Sequence, residues 1–386
     1  MALPVPVIAT TTLATGNINS IQRPIVLTEH IENLSVSDIP LVMFSKEARR
    51  KSIEDYNTNW LETQYFPRIN AINLVAGYLA GDTVLVVDNA AYFKAGDIVT
   101  VTRTLETMSV TSIDTVTNEI TVERSWGTTA AAALLDDDEL LIIGYASTEG
   151  GSAPEMRATI PGTKTNYVQT FRTSFRLTKG LGNNVKLLTG SELASRRTEK
   201  LDEHLIDIER SALFGESRQD LTNTDDPRRT MGGLREFITS NVNDFGGVMA
   251  KADFDSFLRD VMQKGSKNKL VLSAPIVNGA ISGFAGNSIR TVPQDETFGI
   301  HIKEYISPHG RVHISEHRLL GESTEFAGWF FVLDMSKIWM PVLMDTIHRM
   351  NIQANDELKA REEYVTELTM EVMNDLSHGI GQGVTG

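Results

Sequence analysis

The 386-residue chain contains no cysteine. That excludes disulfides and thiolate metal sites, so unusual stability has to come from packing, from subunit contacts or from another kind of covalent bond. No stretch approaches the roughly 18 consecutive apolar residues that a membrane span needs. The opening MALPVPVIATTTLATG lacks the basic start and apolar core of a signal peptide, so the expected location is the cytoplasm in which the chain is made. Basic charge is short as well: 36 Lys and Arg stand against 50 Asp and Glu, a net −14. Such a balance repels phosphate backbones and argues against a dedicated nucleic-acid binder. Catalytic signatures are missing too. There is no G-x-S-x-G elbow, no P-loop and no H-E-x-x-H, and G-I-G-Q-G at 379–383 has no strand before it to make a nucleotide site.

What remains is 41% hydrophobic and 22% charged, enough to bury two or more cores in a multi-lobed globular protein. Residues 1–27, rich in Thr, Ala and Pro, read as an extended arm that needs a partner to order it. A short helical pattern follows, from Ile31 and Leu34 to Phe44, broken at Pro40, and then a basic cluster of Lys46, Arg49, Arg50 and Lys51. From about 73 to 146 the period changes to short β-type runs at 83–87, 97–103, 109–113, 119–123 and 139–145, the spacing of a small barrel. Three of these runs are introduced alike, by LAGD at 79–82, KAGD at 94–97 and LDDD at 135–138, which points to a reused turn-to-strand unit.

Beyond Gly150-Gly151-Ser152-Ala153-Pro154, residues 166–178 alternate Tyr167, Phe171 and Phe175 with polar residues and read as a strand. A helix of about six turns follows, capped by Ser191 and stopped by Gly215, with Leu193, Leu201, Leu205, Ile208 and Ala212 on one face. Its charges run against the helix dipole, with Arg196, Arg197 and Lys200 in the first half and Asp202, Glu203, Asp207 and Glu209 in the second. Something outside the helix should compensate, and pairing with neighbouring subunits is the expectation, against simple solvation. Helices are expected at 253–264 and 275–284, and strands at 269–273, GIHIKEYI, GRVHISEH and 329–334. Leu368, Met370 and Val372 alternate with polar residues as a half-buried strand. The whole is α+β with a β-rich insertion.

Other candidate sites have plain readings. His309, His313 and His317 recur at spacings of four, and on a strand His313 and His317 would share a face, yet no Asp or Cys completes a metal set. Asp136, Asp137, Asp138 and Glu139 lack the ligand spacing of a calcium loop and read as a solvated turn. Trp60 and Trp126 read as core. The basic cluster at 46–51, isolated in an acidic chain, is expected to meet carboxylates on a neighbour.

Taken in order, several segments resemble the major capsid proteins of tailed phages, in particular a family with a β-barrel inserted in its extended loop. Residues 31–40, IENLSVSDIP, are similar to an I-x-N-(I/L)-S-x-x-D-x-P arm signature, and NTNWLETQY at 57–65 to a tryptophan-bearing strand. ERSWGTTA at 123–130 resembles an R-G-(aromatic)-G-T-T-A stretch, with Ser125 where glycine is usual. NYVQTFR at 166–172 resembles N-Y-x-Q-x-F-R, RTMGGL at 229–234 resembles R-T-M-G-G, and ELTMEVMN at 367–374 with His378-Gly379 completes the set.

The resemblance implies the tailed-phage capsid fold shared with encapsulins. It places an N-terminal arm at 1–62 and an extended loop at 63–165 that carries the barrel at about 73–150. A peripheral domain follows at 166–230 with its spine helix at 191–214, then an axial domain at 231–340 and a return to the peripheral domain at 341–386. The implied function is a self-assembling, non-enzymatic subunit of an icosahedral virion shell, in hexamers and pentamers, enclosing DNA without reading it. No cofactor, metal or membrane is expected. The expected partners are further copies of itself, a separate scaffolding protein, a portal and a decoration protein, with no N-terminal cleavage. Possible assembly contacts are Arg49, Arg50, Lys51, Arg196, Arg197 and Lys200. Some relatives cross-link through a Lys in the loop; Lys94 and Lys164 lie in that region without a motif that licenses the transfer. The competing classes are a tail or decoration protein and a phage hydrolase with an accessory barrel.

Overall fold

The structure, a computed structural model, describes residues 50–63, 65–151, 156, 159–178, 192–223, 225–284, 289–290 and 302–385. The arm signature at 31–40, the helical pattern at 31–44, Lys46, Arg49 and Ser191 lie outside them. The chain divides into a smaller unit, Leu61–Lys164, and a larger one formed by Met1–Trp60 with Thr165–Gly386.

Along the chain, β1 (Arg50–Ser52) and β2 (Asn57–Glu62) lead to the smaller unit. There follow β3 (Ile69–Ala71), β4 (Val84–Val86), β5 (Asp97–Val101), β6 (Thr107–Asp114), β7 (Glu119–Glu123) and β8 (Glu139–Tyr145). The return is through β9 (Gly162–Tyr167), which pairs with β2, and β10 (Gln169–Thr178). Next come α1 (Glu192–Phe214), β11 (Arg218–Asp220), β12 (Arg228–Thr230), α2 (Leu234–Phe237), β13 (Val242–Val248), α3 (Lys251–Met262), β14 (Asn268–Ser273) and α4 (Pro275–Ser282). The last part holds β15 (Ile289–Arg290), β16 (Ile302–Ser307), β17 (Gly310–Glu316), α5 (Arg318–Gly321), β18 (Phe330–Leu333), β19 (Ile338–Arg349), β20 (Lys359–Leu368), β21 (Glu371–Val372) and β22 (Gly379–Thr385).

The smaller unit is a six-stranded sheet ordered β3-β8-β5-β6-β7-β4. It closes on itself where Ile72 bridges Val87 and the Asn73 and Asp88 amides donate to Val86 and Ala71. Alternation decides the inside. In β5 every second residue is buried, and Leu85, Val99, Met108, Ile120 and Leu140 are fully enclosed, each contributing about 1.5–3 kcal/mol. The three look-alike turns are one device used three times. Asp82, Asp97 and Asp138 each accept the amide of the residue three places earlier, Leu79, Lys94 and Leu135, and each returns its own amide to that residue's carbonyl.

The larger unit holds two main sheets. One is mixed and seven-stranded, ordered β13-β22-β18-β14-β17-β16-β15. Its interior strand β18 is enclosed at all four positions, and α3 packs Phe254 and Phe257 edge-on to Phe330 at 5.9 and 5.6 Å. The glycine run at 379–383 is therefore structural. It lies in β22, and a Cβ on Gly381 would overlap the Phe330 ring. The other sheet runs β1-β19-β20-β10, with β21 paired to β19, and α1 packs against it through His204 and Ile208.

Two expectations need correcting here. The C-terminal strand is not half-buried: Thr369, Met370 and Glu371 are all enclosed, because β21 turns back to pair with β19. His317 does not share a strand face with His313, because β17 ends at Glu316 and His317 starts α5 as a fully buried residue.

His378 is buried beside β18. The Asp334 amide donates to its Nδ1 at 3.2 Å, which leaves the proton on Nε2, 3.2 Å from the Met373 carbonyl. Burial pushes this imidazole down to about 4. An unfolded chain therefore binds a proton between its ordinary value near 6.5 and about 4 that the folded chain refuses. The contribution is complete above pH 6.5 and is lost as pH falls toward 4, at no more than about 1.4 kcal/mol per pH unit. Urea unfolding across that window should show a shallower pH slope for His378→Gln than for the parent chain; equal slopes would contradict the assignment.

Candidate functional site

Three sequence motifs, distant along the chain, meet at one buried side chain. Asn166 has no exposed surface. Its Nδ2 donates to the carbonyls of Gly232 (3.0 Å) and Met370 (2.7 Å), and its Oδ1 accepts the amides of Gly232 (2.7 Å) and Tyr167 (2.8 Å). Both donors and both lone pairs are used. Gln169, two strand positions on from Tyr167, takes the Met231 amide at 3.0 Å. The N-Y-x-Q-x-F-R strand thus holds the R-T-M-G-G loop and the E-L-T-M-E-V segment together. That loop in turn touches the end of α1, where a Cβ on Gly233 would overlap the Ser211 and Ala212 carbonyls.

The charges of α1 find their partners within the chain. Arg197 makes a two-pronged pair with Glu362 of β20, at 2.7 and 2.6 Å, and His348 Nε2 sits 2.8 Å from the same carboxylate. The Arg197 hydrogen bonds hold Glu362 below the usual carboxylate range, outweighing its burial. Glu209, which the dipole disfavours, is fully buried with its Oε1 2.7 Å from His317 Nε2. Arg196 and Lys200 pair one turn along the helix with Glu199 and Glu203. The buried face of α1 therefore carries His204 and Glu209 beside the expected Ile208 and Ala212. On the opposite side of β20, Glu363 is held by Arg172 (2.7 Å) and Arg349 (2.9 Å).

Of the basic cluster, Lys51 reaches Glu371 at 3.7 Å, and burial raises that carboxyl above its ordinary value. Arg50 pairs its backbone with Met340 in parallel register. The sequence did not single out a cavity of about 370 Å³ beside the R-T-M-G-G loop. Arg172, Arg228 and Arg229 line it with Tyr56, and the Arg229 guanidinium lies over the Tyr56 ring at 4.8 Å.

In the barrel, Arg124 and Glu106 form a buried two-pronged pair at 2.7 and 2.8 Å. Arg124 also donates to the carbonyls of Leu79, Asp82 and Ala132. Burial alone would raise Glu106, but Arg124 and the Ala132 and Ser125 amides outweigh it and hold it low. The E-R-S-W-G-T-T-A stretch is thus a clasp that ties one end of the barrel. Ser125 has φ of 54°, which explains the glycine usual there. Trp60 is core, but Trp126 is 51% exposed: it follows this turn and points away from the barrel interior. In the acidic turn Asp138 is buried and clasped by Arg103 at 2.6 Å. Among the described residues no group of three His, Asp or Glu could hold a metal ion.

The family described as SU10 major capsid protein matches residues 8–385. The chain belongs to that family. A protein named major capsid protein from Pseudomonas phage PaMx41 is 27% identical over 292 residues, covering 71% of this chain and 69% of its own. Among solved structures, that of Mycobacterium phage Adephagia superposes with a TM-score of 0.50 at 7% identity, covering 96% of this chain and 98% of its own. The capsid of Myoviridae phage XM1 gives 0.47 at 10% identity, with 97% and 100% covered. The fold is that of phage capsid proteins, and the chain is a structural subunit of a phage virion.

Two substitutions test the internal ties of this capsid subunit. Asn166→Ala removes the partner of the Gly232 and Tyr167 amides and of the Gly232 and Met370 carbonyls, at about 1–3 kcal/mol for each buried group, so urea unfolding should show a loss above about 3 kcal/mol. Arg197→Glu sets a carboxylate against Glu362. The expected cost is about 2–3 kcal/mol, less than for a fully buried pair because Arg197 is about one-third exposed. Unchanged subunit stability with lost assembly would instead assign Arg197 to a neighbour.

Proposed function

We propose that this capsid subunit builds an icosahedral wall of hexamers and pentamers around double-stranded DNA, with no enzymatic step. The observation that carries the reading is the family match over residues 8–385, nearly the whole chain. The internal geometry supports it. Buried charges are spent inside the subunit, on Arg197 with Glu362, Glu209 with His317 and Arg124 with Glu106, which favours a stiff building block over a reacting site. The net −14 suits a wall that confines DNA without gripping it.

In this reading Leu61–Lys164 is the extended loop with its barrel, α1 the spine of a peripheral domain, and the seven-stranded sheet the axial domain, to which β22, from the 341–386 stretch expected in the peripheral domain, adds a strand. Assembly takes place in the host cytoplasm, with a scaffolding protein, a portal and a decoration protein as further partners. Arg196 and Lys200, in exposed pairs of about 0–1 kcal/mol, could exchange partners with a neighbour at little cost, and Arg49, Arg50 and Lys51 are the other basic residues assigned to neighbour contacts, Lys51 by giving up its reach to the buried Glu371.

Electron microscopy of the full chain, expressed with the other head proteins of the phage, should show closed shells. Tubes or small rings would favour a tail protein. A persistent monomer would overturn the reading and reopen the hydrolase and decoration alternatives.

A further inference from the structure

The cavity of about 370 Å³ beside the R-T-M-G-G loop lies wholly within the larger unit. Its wall sets Arg172, Arg228 and Arg229 against a single carboxylate, Asp226. Three positive charges less one negative leave a surplus of two, in a chain whose net charge is −14. Like charges held together repel, and an acidic chain has carboxylates to spare for them. Yet among the described residues Arg228 and Arg229 have no hydrogen-bonded partner, and Arg229 Nε is sealed from solvent as well. A buried donor without an acceptor is rare in a folded protein and marks a place where another group supplies one.

The cluster is held in position. Arg229 lies over the Tyr56 ring at 4.8 Å, which fixes the plane of its guanidinium fork. The Tyr56 carbonyl accepts the Val168 amide at 2.9 Å, and Gln169 ties Met231, two residues beyond Arg229, to the same stretch of chain. Across the cavity Arg172 directs Nη2 to Glu363 at 2.7 Å. Asp220 stands opposite Arg228 in the β11–β12 register, but its Oδ1 takes the Thr222 amide and hydroxyl, and Arg218 shares its charge.

We propose that this cavity is an oxyanion site for a phosphate dianion, and that the bound ion fastens the chain at Tyr56 to the β11–β12 hairpin that leads into the R-T-M-G-G loop. The planar forks of Arg228 and Arg229 match the spacing of phosphate oxygens, as a lysine ammonium does not. The surplus of two charges selects the ion. A carboxylate or a DNA phosphodiester carries one negative charge and leaves one guanidinium unanswered, whereas a phosphate dianion answers both. The site belongs to the single subunit and is independent of the shell-forming reading.

The test titrates the purified full-length chain with inorganic phosphate, with acetate and with a short DNA duplex, at one ionic strength and at mildly alkaline pH, where phosphate is a dianion. Calorimetry should give one phosphate per chain, and phosphate should raise the melting temperature. Arg228→Gln and Arg229→Gln should each weaken phosphate binding about tenfold or more. Without phosphate, Arg228→Gln should melt with the parent chain, since that side chain has no partner to lose, so its weaker binding reports the site and not the fold. No phosphate binding, or acetate or duplex bound as tightly as phosphate, would overturn the proposal. Parental phosphate affinity in both variants would overturn it too, by placing the ion elsewhere.

Discussion

The larger unit depends on one amide. Asn166 joins a strand, a glycine loop and a C-terminal segment more than 200 residues away, and the arrangement works because a carboxamide offers two donors and two acceptors in one plane. A buried network of this kind is strongest when complete, since the low dielectric that strengthens each bond also penalises each missing one. Aspartate has no donors to offer the Gly232 and Met370 carbonyls, and leucine would strand four backbone groups. From that point the loop is passed on to the C-terminal end of α1, where Gly233 allows the close approach. The long helix, the strand below it and the C-terminal segment are thereby locked in one geometry.

The same economy shapes the barrel. Its core is apolar and unremarkable, but its turns are fixed by carboxylates: three Asp residues repeating one turn, Asp138 doubly used by Arg103, and Glu106 holding Arg124. A carboxylate that accepts several amides and a guanidinium stays ionised despite burial, as Glu106 does. Ion pairs of this sort add little net stability over apolar packing, but they set direction. What they fix here is the course of the turns, with Arg124 tied to Leu79, Asp82 and Ala132 and Arg103 to Asp138 and Ala133.

Much of this was legible in the residues. Alternation located five of the six barrel strands, because a barrel strand has a wet and a dry face, and missed the three-residue β3 ahead of the expected start; the L/K-x-x-D repeats announced a shared turn chemistry. Periodicity also found α1, α3, α4 and four strands of the seven-stranded sheet, β14, β16, β17 and β18, but not β13, β15 or β22. It failed where buried positions are polar. β20 hides Glu362 and Glu363 on its two faces, so the run KAREEYVTEL reads as exposed, and the strand goes unread although its partner β19 is apolar. The adverse charge order on α1 was visible, and its explanation needed coordinates, because Glu362 lies 165 residues from Arg197. Trp126 was misread because bulk apolar residues are usually core, and nothing local says that a turn points one outward. The convergence on Asn166 could not be read from spacing at all.

A shell protein faces opposed demands, since each subunit has to be rigid while its contacts stay weak enough to form in order. Placing the strong, well-satisfied charge pairs inside the subunit answers the first. The second follows from what is left on the surface: water-screened pairs such as Arg196 with Glu199, worth little singly, and an acidic excess that keeps free copies apart.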